Sequence, residues 1–126
     1  MKINEVIEEL KKTYPGKKII LNDKNNLTEI LCEVDPPSKH PAYSVAVSVI
    51  DETIPHYHNG ITEVYEVLRG EIDLTVDGKA FHLKKGESFT IQPGEVHSAK
   101  GNETWIKCTA KPAWKISDHI KINAKS

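Results

Sequence analysis

The feature that most constrains this chain is its punctuation. From Lys17 onward, short β-like runs are broken by turn-forming residues at Asn22-Asp23, Asp35-Pro36-Pro37, Asn59-Gly60, Asp77-Gly78, Lys85-Gly86 and Pro93-Gly94. The runs between them, at 17–21, 27–34, 42–50, 63–68, 71–76, 79–83, 88–91, 104–110 and 114–116, read as strands. Asp77-Gly78 sits between two of these runs and predicts a two-residue hairpin, because a type I′ turn needs positive φ at both central positions. Residues 43–50 alternate: Tyr43, Val45, Val47 and Val49 face one way, and Ser44, Ala46 and Ser48 the other. Many short strands with no interleaved helical pattern predict an all-β, antiparallel sandwich or barrel.

Only the N-terminus departs from this texture. Ile3, Val6, Ile7, Leu10 and Tyr14 recur at helical spacing, glutamates precede lysines, and Pro15-Gly16 stops the run. With 126 residues there is material for one hydrophobic core. The expected organisation is a helix over 1–16, a barrel over 17–117 and a polar tail over 118–126. Hydrophobic residues make up only 38 %, so self-association as a homodimer would help to cover the apolar surface. Seventeen basic residues against 18 acidic ones leave no basic footprint for nucleic acid and no polybasic patch for a membrane. Asn4, Glu5, Glu8 and Glu9 interrupt the start where an export signal needs an apolar run. The expected compartment is therefore the cytoplasm, with Cys32 and Cys108 as reduced thiols.

Six histidines are unusual in so short a chain. On a strand, residues i and i+2 share a face, so His56 and His58 present two imidazoles side by side. Asn59-Gly60 turns the chain and Glu63 returns a carboxylate, while His97 follows a second turn at Pro93-Gly94. Three nitrogen ligands and one oxygen ligand on β elements are what a closed barrel could bring together.

These residues carry a resemblance to the cupin superfamily. His56, His58, Glu63 and Gly70 stand at the spacing of the first cupin motif, and Gly86, Gly94 and His97 match the second. The chain departs from the pattern at Ile50, Gln92 and Gly101, where the family has Gly, Pro and Asn, and none of these positions is a ligand. The resemblance covers roughly 42–110. It implies an antiparallel jelly-roll β-barrel, often dimeric, with a divalent metal held by His56, His58, Glu63 and His97. Imidazole and carboxylate suit Fe, Mn, Ni, Zn or Cu without selecting among them. Four protein ligands on an octahedral ion leave two open positions.

The other polar residues are weaker candidates. Tyr65 shares strand parity with Glu63 and could hydrogen-bond a metal-bound ligand; Gln92 and then Lys107 are the next candidates. His40, His82 and His119 have no carboxylate at ligand spacing and are expected in solvent or in the tail. Trp105 and Trp114 are expected in the core or lining a pocket. The expected function is metal-dependent chemistry on a small, oxygen-rich organic anion, of dioxygenase, isomerase, lyase or decarboxylase type. The alternative is a non-catalytic module that binds a small molecule or metal.

Overall fold

The structure is a computed structural model that describes residues 1–122. Residues 123–126, the end of the expected tail, lie outside the described residues. The order of elements is helix α1 (Ile3–Thr13), then strands β1 (Lys18–Leu21), β2 (Glu29–Asp35), β3 (Ser44–Glu52), β4 (His56–Tyr57) and β5 (Thr62–Arg69). These are followed by β6 (Glu71–Val76), β7 (Lys79–Lys84), β8 (Ser88–Ile91), β9 (His97–Lys111), a short 3-10 turn (Ile116–Asp118) and β10 (Ile120–Lys121). Among the described residues no helix is long and apolar enough to cross a membrane.

All pairings are antiparallel, and the long strand β9 organises them. Its first part pairs with β6, as in Leu74 with Ala99, and His97 faces His56 of β4. Its second part pairs with β3 on one edge and β5 on the other, so that Cys108 lies between Ala46 and Tyr65. With β8 on the far side of β5 and β7 on the far side of β6, the sheet curls into the jelly-roll barrel. Between the two parts of β9 the strand kinks. Glu103 adopts φ of 52° and donates its N–H to the Asp51 carboxylate at 2.7 Å. A Cβ on Gly101 would stand 2.5 Å from the Thr104 hydroxyl oxygen and 3.0 Å from the Ile50 carbonyl, so only glycine fits without a shift.

The hairpin expected at Asp77-Gly78 is present: Val76 pairs with Lys79, and both turn residues have positive φ. Residues 114–116 do not form the strand expected there. The Trp114 N–H donates to the Ser44 hydroxyl instead of a neighbouring strand. Residues 120–121, expected in the tail, pair with β4. Strand β9 also starts seven residues before the expected 104, because a turn-like Gly101-Asn102 is absorbed as a kink rather than a break.

Two cores result. Ile50, Val67, Ile72, Leu74, Ile91 and Ile106 fill the barrel interior. Val6 and Leu10 of α1 cover Ile30, Cys32, Val47, Val49 and Trp105 on its outside. Strand β3 is buried on both sides: its valines at 47 and 49 lie under the helix, while Ser44 and Ser48 look into the barrel. The valine face of the alternation is therefore the outer one. Arg69 lies 4.3 Å over the Trp105 ring and pairs with Glu9, which latches the helix.

Leu10 is fully buried in the helix–sheet core. Leu10→Ala should cost about 2–5 kcal/mol in urea unfolding. Glu9→Ala, which breaks only an exposed ion pair, should cost less than about 1 kcal/mol.

Candidate metal centre

His56 lies in the two-residue β4, His58 follows it, and the Asn59-Gly60 turn feeds β5, on which Glu63 is the second residue. His97 opens β9 opposite His56. All four side chains are buried. One ligand atom from each lies within 4.8 Å of the others. Glu63 Oε1 is 3.1 Å from His58 Nε2 and 3.2 Å from His97 Nε2. Bonds of about 2.1 Å keep ligand atoms within about 4.2 Å of one another, so a small contraction of this group would close it on an ion.

Hydrogen bonds settle which nitrogen each histidine offers. His56 Nδ1 donates to the Ile54 carbonyl at 2.8 Å, His58 Nδ1 to the Asp118 carbonyl at 2.7 Å and His97 Nδ1 to the Glu95 carbonyl at 3.0 Å. A carbonyl only accepts, so each Nδ1 carries a proton, and Nε2 is the nitrogen each ring can offer to a metal. His97 Nε2 is buried with no hydrogen-bond partner. Oriented imidazoles with converging Nε2 atoms and one carboxylate fit a divalent metal in donor type and in outer support.

The electrostatics of the group agree with its geometry. Burial and the neighbouring His97 push His56 down to about 4, so it is neutral near pH 7. Burial opposes ionisation of Glu63, yet the hydrogen bond of His58 and the adjacent His97 ring hold it well below the usual carboxylate range. Burial also opposes the charge on His58, but Glu63 outweighs it and the net shift is upward. The second oxygen of Glu63 accepts from the Cys108 thiol at 3.4 Å, and burial raises that thiol so that it stays protonated.

His56, His58 and Glu63 line a cavity of about 510 Å³, and His97 is buried beside them. Tyr65 lines it too, buried, with its phenol kept protonated by burial and by the charge of Glu63. Gln92 does not reach it. Ile91 turns inward, so its neighbour Gln92 is exposed in the turn after β8, with its N–H on the Glu95 carboxylate. Lys107 is likewise exposed. Trp114 lines the cavity, whereas Trp105 lies under the helix. His40 pairs with Asp35, and His82 bridges Glu71 and Asp73 on the surface.

Three contributors were not legible in the sequence. His119 stacks on His56 at 4.4 Å between ring centroids. The Asp118 carboxylate holds the N–H groups of Asn59 and Gly60 at 2.8 and 2.9 Å, which fastens the turn between His58 and Glu63. Both sit in the segment expected as a tail, and no local pattern links them to a turn some 60 residues earlier. Glu29 of β2 turns its carboxyl into the cavity, with Ser48 as its hydrogen-bond partner. Its parity with Leu31 and Glu33 was visible, but the side of the strand that faces the barrel was not.

Comparison with known proteins agrees with this architecture. The Cupin domain family model matches residues 45–105. Germin-like protein subfamily 2 member 4 of Arabidopsis thaliana is 43 % identical over 68 residues, which span 50 % of this chain and only 29 % of that relative. Among solved structures, the Streptomyces nucleoside dehydratase Pac13 superposes with a TM-score of 0.73 at 14 % identity, covering 88 % of this chain and 90 % of that one. An RmlC-like cupin from Shewanella frigidimarina gives 0.68 at 21 %, covering 79 % and 87 %. A predicted oxalate decarboxylase from Thermotoga maritima gives 0.64 at 21 %, covering 76 % and 91 %. The matched motifs, the curled antiparallel sheet and the converging histidines together make this chain a cupin-domain protein.

Proposed function

We propose that His56, His58, Glu63 and His97 bind one divalent transition metal, drawn from Fe, Mn, Ni, Zn and Cu, and that the protein is an enzyme acting on a small, oxygen-rich organic anion. The observation that carries this reading is the set of three Nδ1–carbonyl hydrogen bonds, which orient the three rings so that their Nε2 atoms converge beside Glu63. A bound metal would supply Lewis acidity and a template for an oxygen-donor ligand. Three neutral imidazoles and one carboxylate leave such an ion a formal charge of about +1, which favours an anionic, bidentate partner. Tyr65, buried in the cavity lining, would donate a hydrogen bond to that partner. One structural neighbour is a predicted oxalate decarboxylase, and oxalate is of this chemical class. Dioxygenase, isomerase, lyase and decarboxylase chemistries all fall within it.

Replacing any one of the four ligands by Ala should lower metal content at least about tenfold in elemental analysis of tag-free protein, whereas His40→Ala and His82→Ala should leave it unchanged. Full metal in His97→Ala would defeat the four-ligand assignment. The affinity should fall as pH drops, beginning above the ordinary imidazole range, because His58, held up by Glu63, must lose its proton before it can coordinate.

Electron paramagnetic resonance of the Mn(II)- or Cu(II)-loaded protein should change when oxalate, an α-hydroxy acid or a catechol is added. A spectrum indifferent to the whole panel, with no turnover, would favour the non-catalytic binding module.

We also place the protein in the cytoplasm, which its two unbridged cysteines suit, and assign it a homodimeric state. Strand β1 is the outer strand of its side of the sheet, Leu21 at its end is exposed, and Tyr43, Ile54 and Ile116 add exposed apolar surface. Light scattering at micromolar concentration should give twice the chain mass; a monomer would refute the assignment.

A further inference from the structure

The cavity holds a carboxyl group that metal binding does not use. Glu29 is half-buried in the cavity wall. It lies on β2, opposite Ile50 of β3, and its hydrogen-bond partner is the Ser48 hydroxyl rather than any of the four ligands. The titratable groups that face it across the cavity are Glu63 and Tyr65 of β5 and Cys108 of β9. Glu33 on its own strand and Glu52 on β3 line the same space. Burial, and then the like charge of Glu63, raise Glu29 to about 7 despite the Ser48 hydrogen bond. A carboxyl in this setting exchanges a proton near neutral pH.

The rest of the lining says what would bring that proton. Asp23, Glu29, Glu33, Glu52 and Glu63 line the cavity, against Lys121 as the one lysine or arginine among the described lining residues. The only arginine in the chain, Arg69, is on the helix side over Trp105. A ligand arriving as a dianion would meet this acidic wall without a guanidinium to receive it. A neutral chelator carrying an acidic hydroxyl would not.

Resting on the metal reading above, we infer that Glu29 is the proton acceptor of this cavity and that the ligand enters as a protonated enol, hydroxy ketone or catechol, becoming an anion only inside. The ligand O–H bond breaks, its electron pair stays on oxygen and becomes available for coordination, and a new O–H bond forms on the Glu29 carboxylate. The cavity's net charge changes only by that of the species that entered. On release the same proton returns, so Glu29 serves as acid and base in turn.

The test is a proton count. Catechol, neutral in solution, is titrated into the Zn(II)-loaded protein at about pH 8 in buffers of different ionisation enthalpy, with oxalate, fully ionised beforehand, as the comparison probe. Glu29→Gln should release about one proton more per catechol bound than the wild type, with no change in the count for oxalate, and Glu33→Gln should behave as wild type. In the wild type itself, the infrared difference spectrum on adding catechol should gain the C=O stretch of a neutral carboxylic acid, absent from Glu29→Gln. Equal proton counts and no such band, with catechol still bound, would overturn the role of Glu29 and leave the metal reading intact. If neither catechol nor oxalate bound the metal-loaded wild type, both would fall.

Discussion

Strand β9 is hydrogen-bonded along both edges, and this double pairing is what the rest of the molecule depends on. One edge carries β3 and the other β5, so each new pair rotates the sheet and brings β5 back towards β4. Antiparallel sheets left open expose unpaired edges; curling the sheet around one shared strand satisfies them and encloses a core. The kink at Gly101–Glu103 lets the two parts of β9 serve different neighbours. His97 then faces His56, while the other part of the strand runs between β3 and β5.

Bringing three imidazoles and a carboxylate together in a buried wall is electrostatically unfavourable unless each group has a partner. Here each Nδ1 proton goes to a main-chain carbonyl, and the Glu63 oxygens meet His58, His97 and the Cys108 thiol. What remains unsatisfied is on the inner side: His97 Nε2 has no hydrogen-bond partner. A buried nitrogen left bare in an otherwise partnered group marks the place where a ligand-accepting centre belongs.

The barrel interior is divided along its length. Apolar side chains of β5, β6, β8 and β9 fill one part, and the cavity occupies the rest. The helix closes the outside of the sheet under β2 and β3, which frees the opposite face of these strands to carry polar side chains such as Ser44, Ser48 and Glu29. A face that packs neither against a helix nor into the filled core is where a barrel can hold hydrogen-bonding groups around a ligand. The acidic character of this wall is a property of β2, β3 and the loop at Asp23, elements separate from those bearing the four ligands.

The sequence by itself determined most of the strands, the hairpin at Asp77-Gly78, the docking helix and the residues of the His/Glu cluster, because each is written in local terms: period-two alternation, turn residues with positive φ, helical spacing, and His-x-His with a following Glu. Tertiary structure decided the remainder. Gln92 and Tyr65 looked comparable, and only strand pairing put Tyr65 in the cavity and Gln92 in solvent. Asp118 and His119 read as tail residues, yet pairing of β10 with β4 carries them to His56 and His58. Glu29 is one charged residue on a strand with two buried faces, and which face meets the helix and which the barrel depends on packing across the whole sheet. Contacts between residues tens of positions apart leave no local signature, since they arise from closure of the barrel and not from the preference of any one segment.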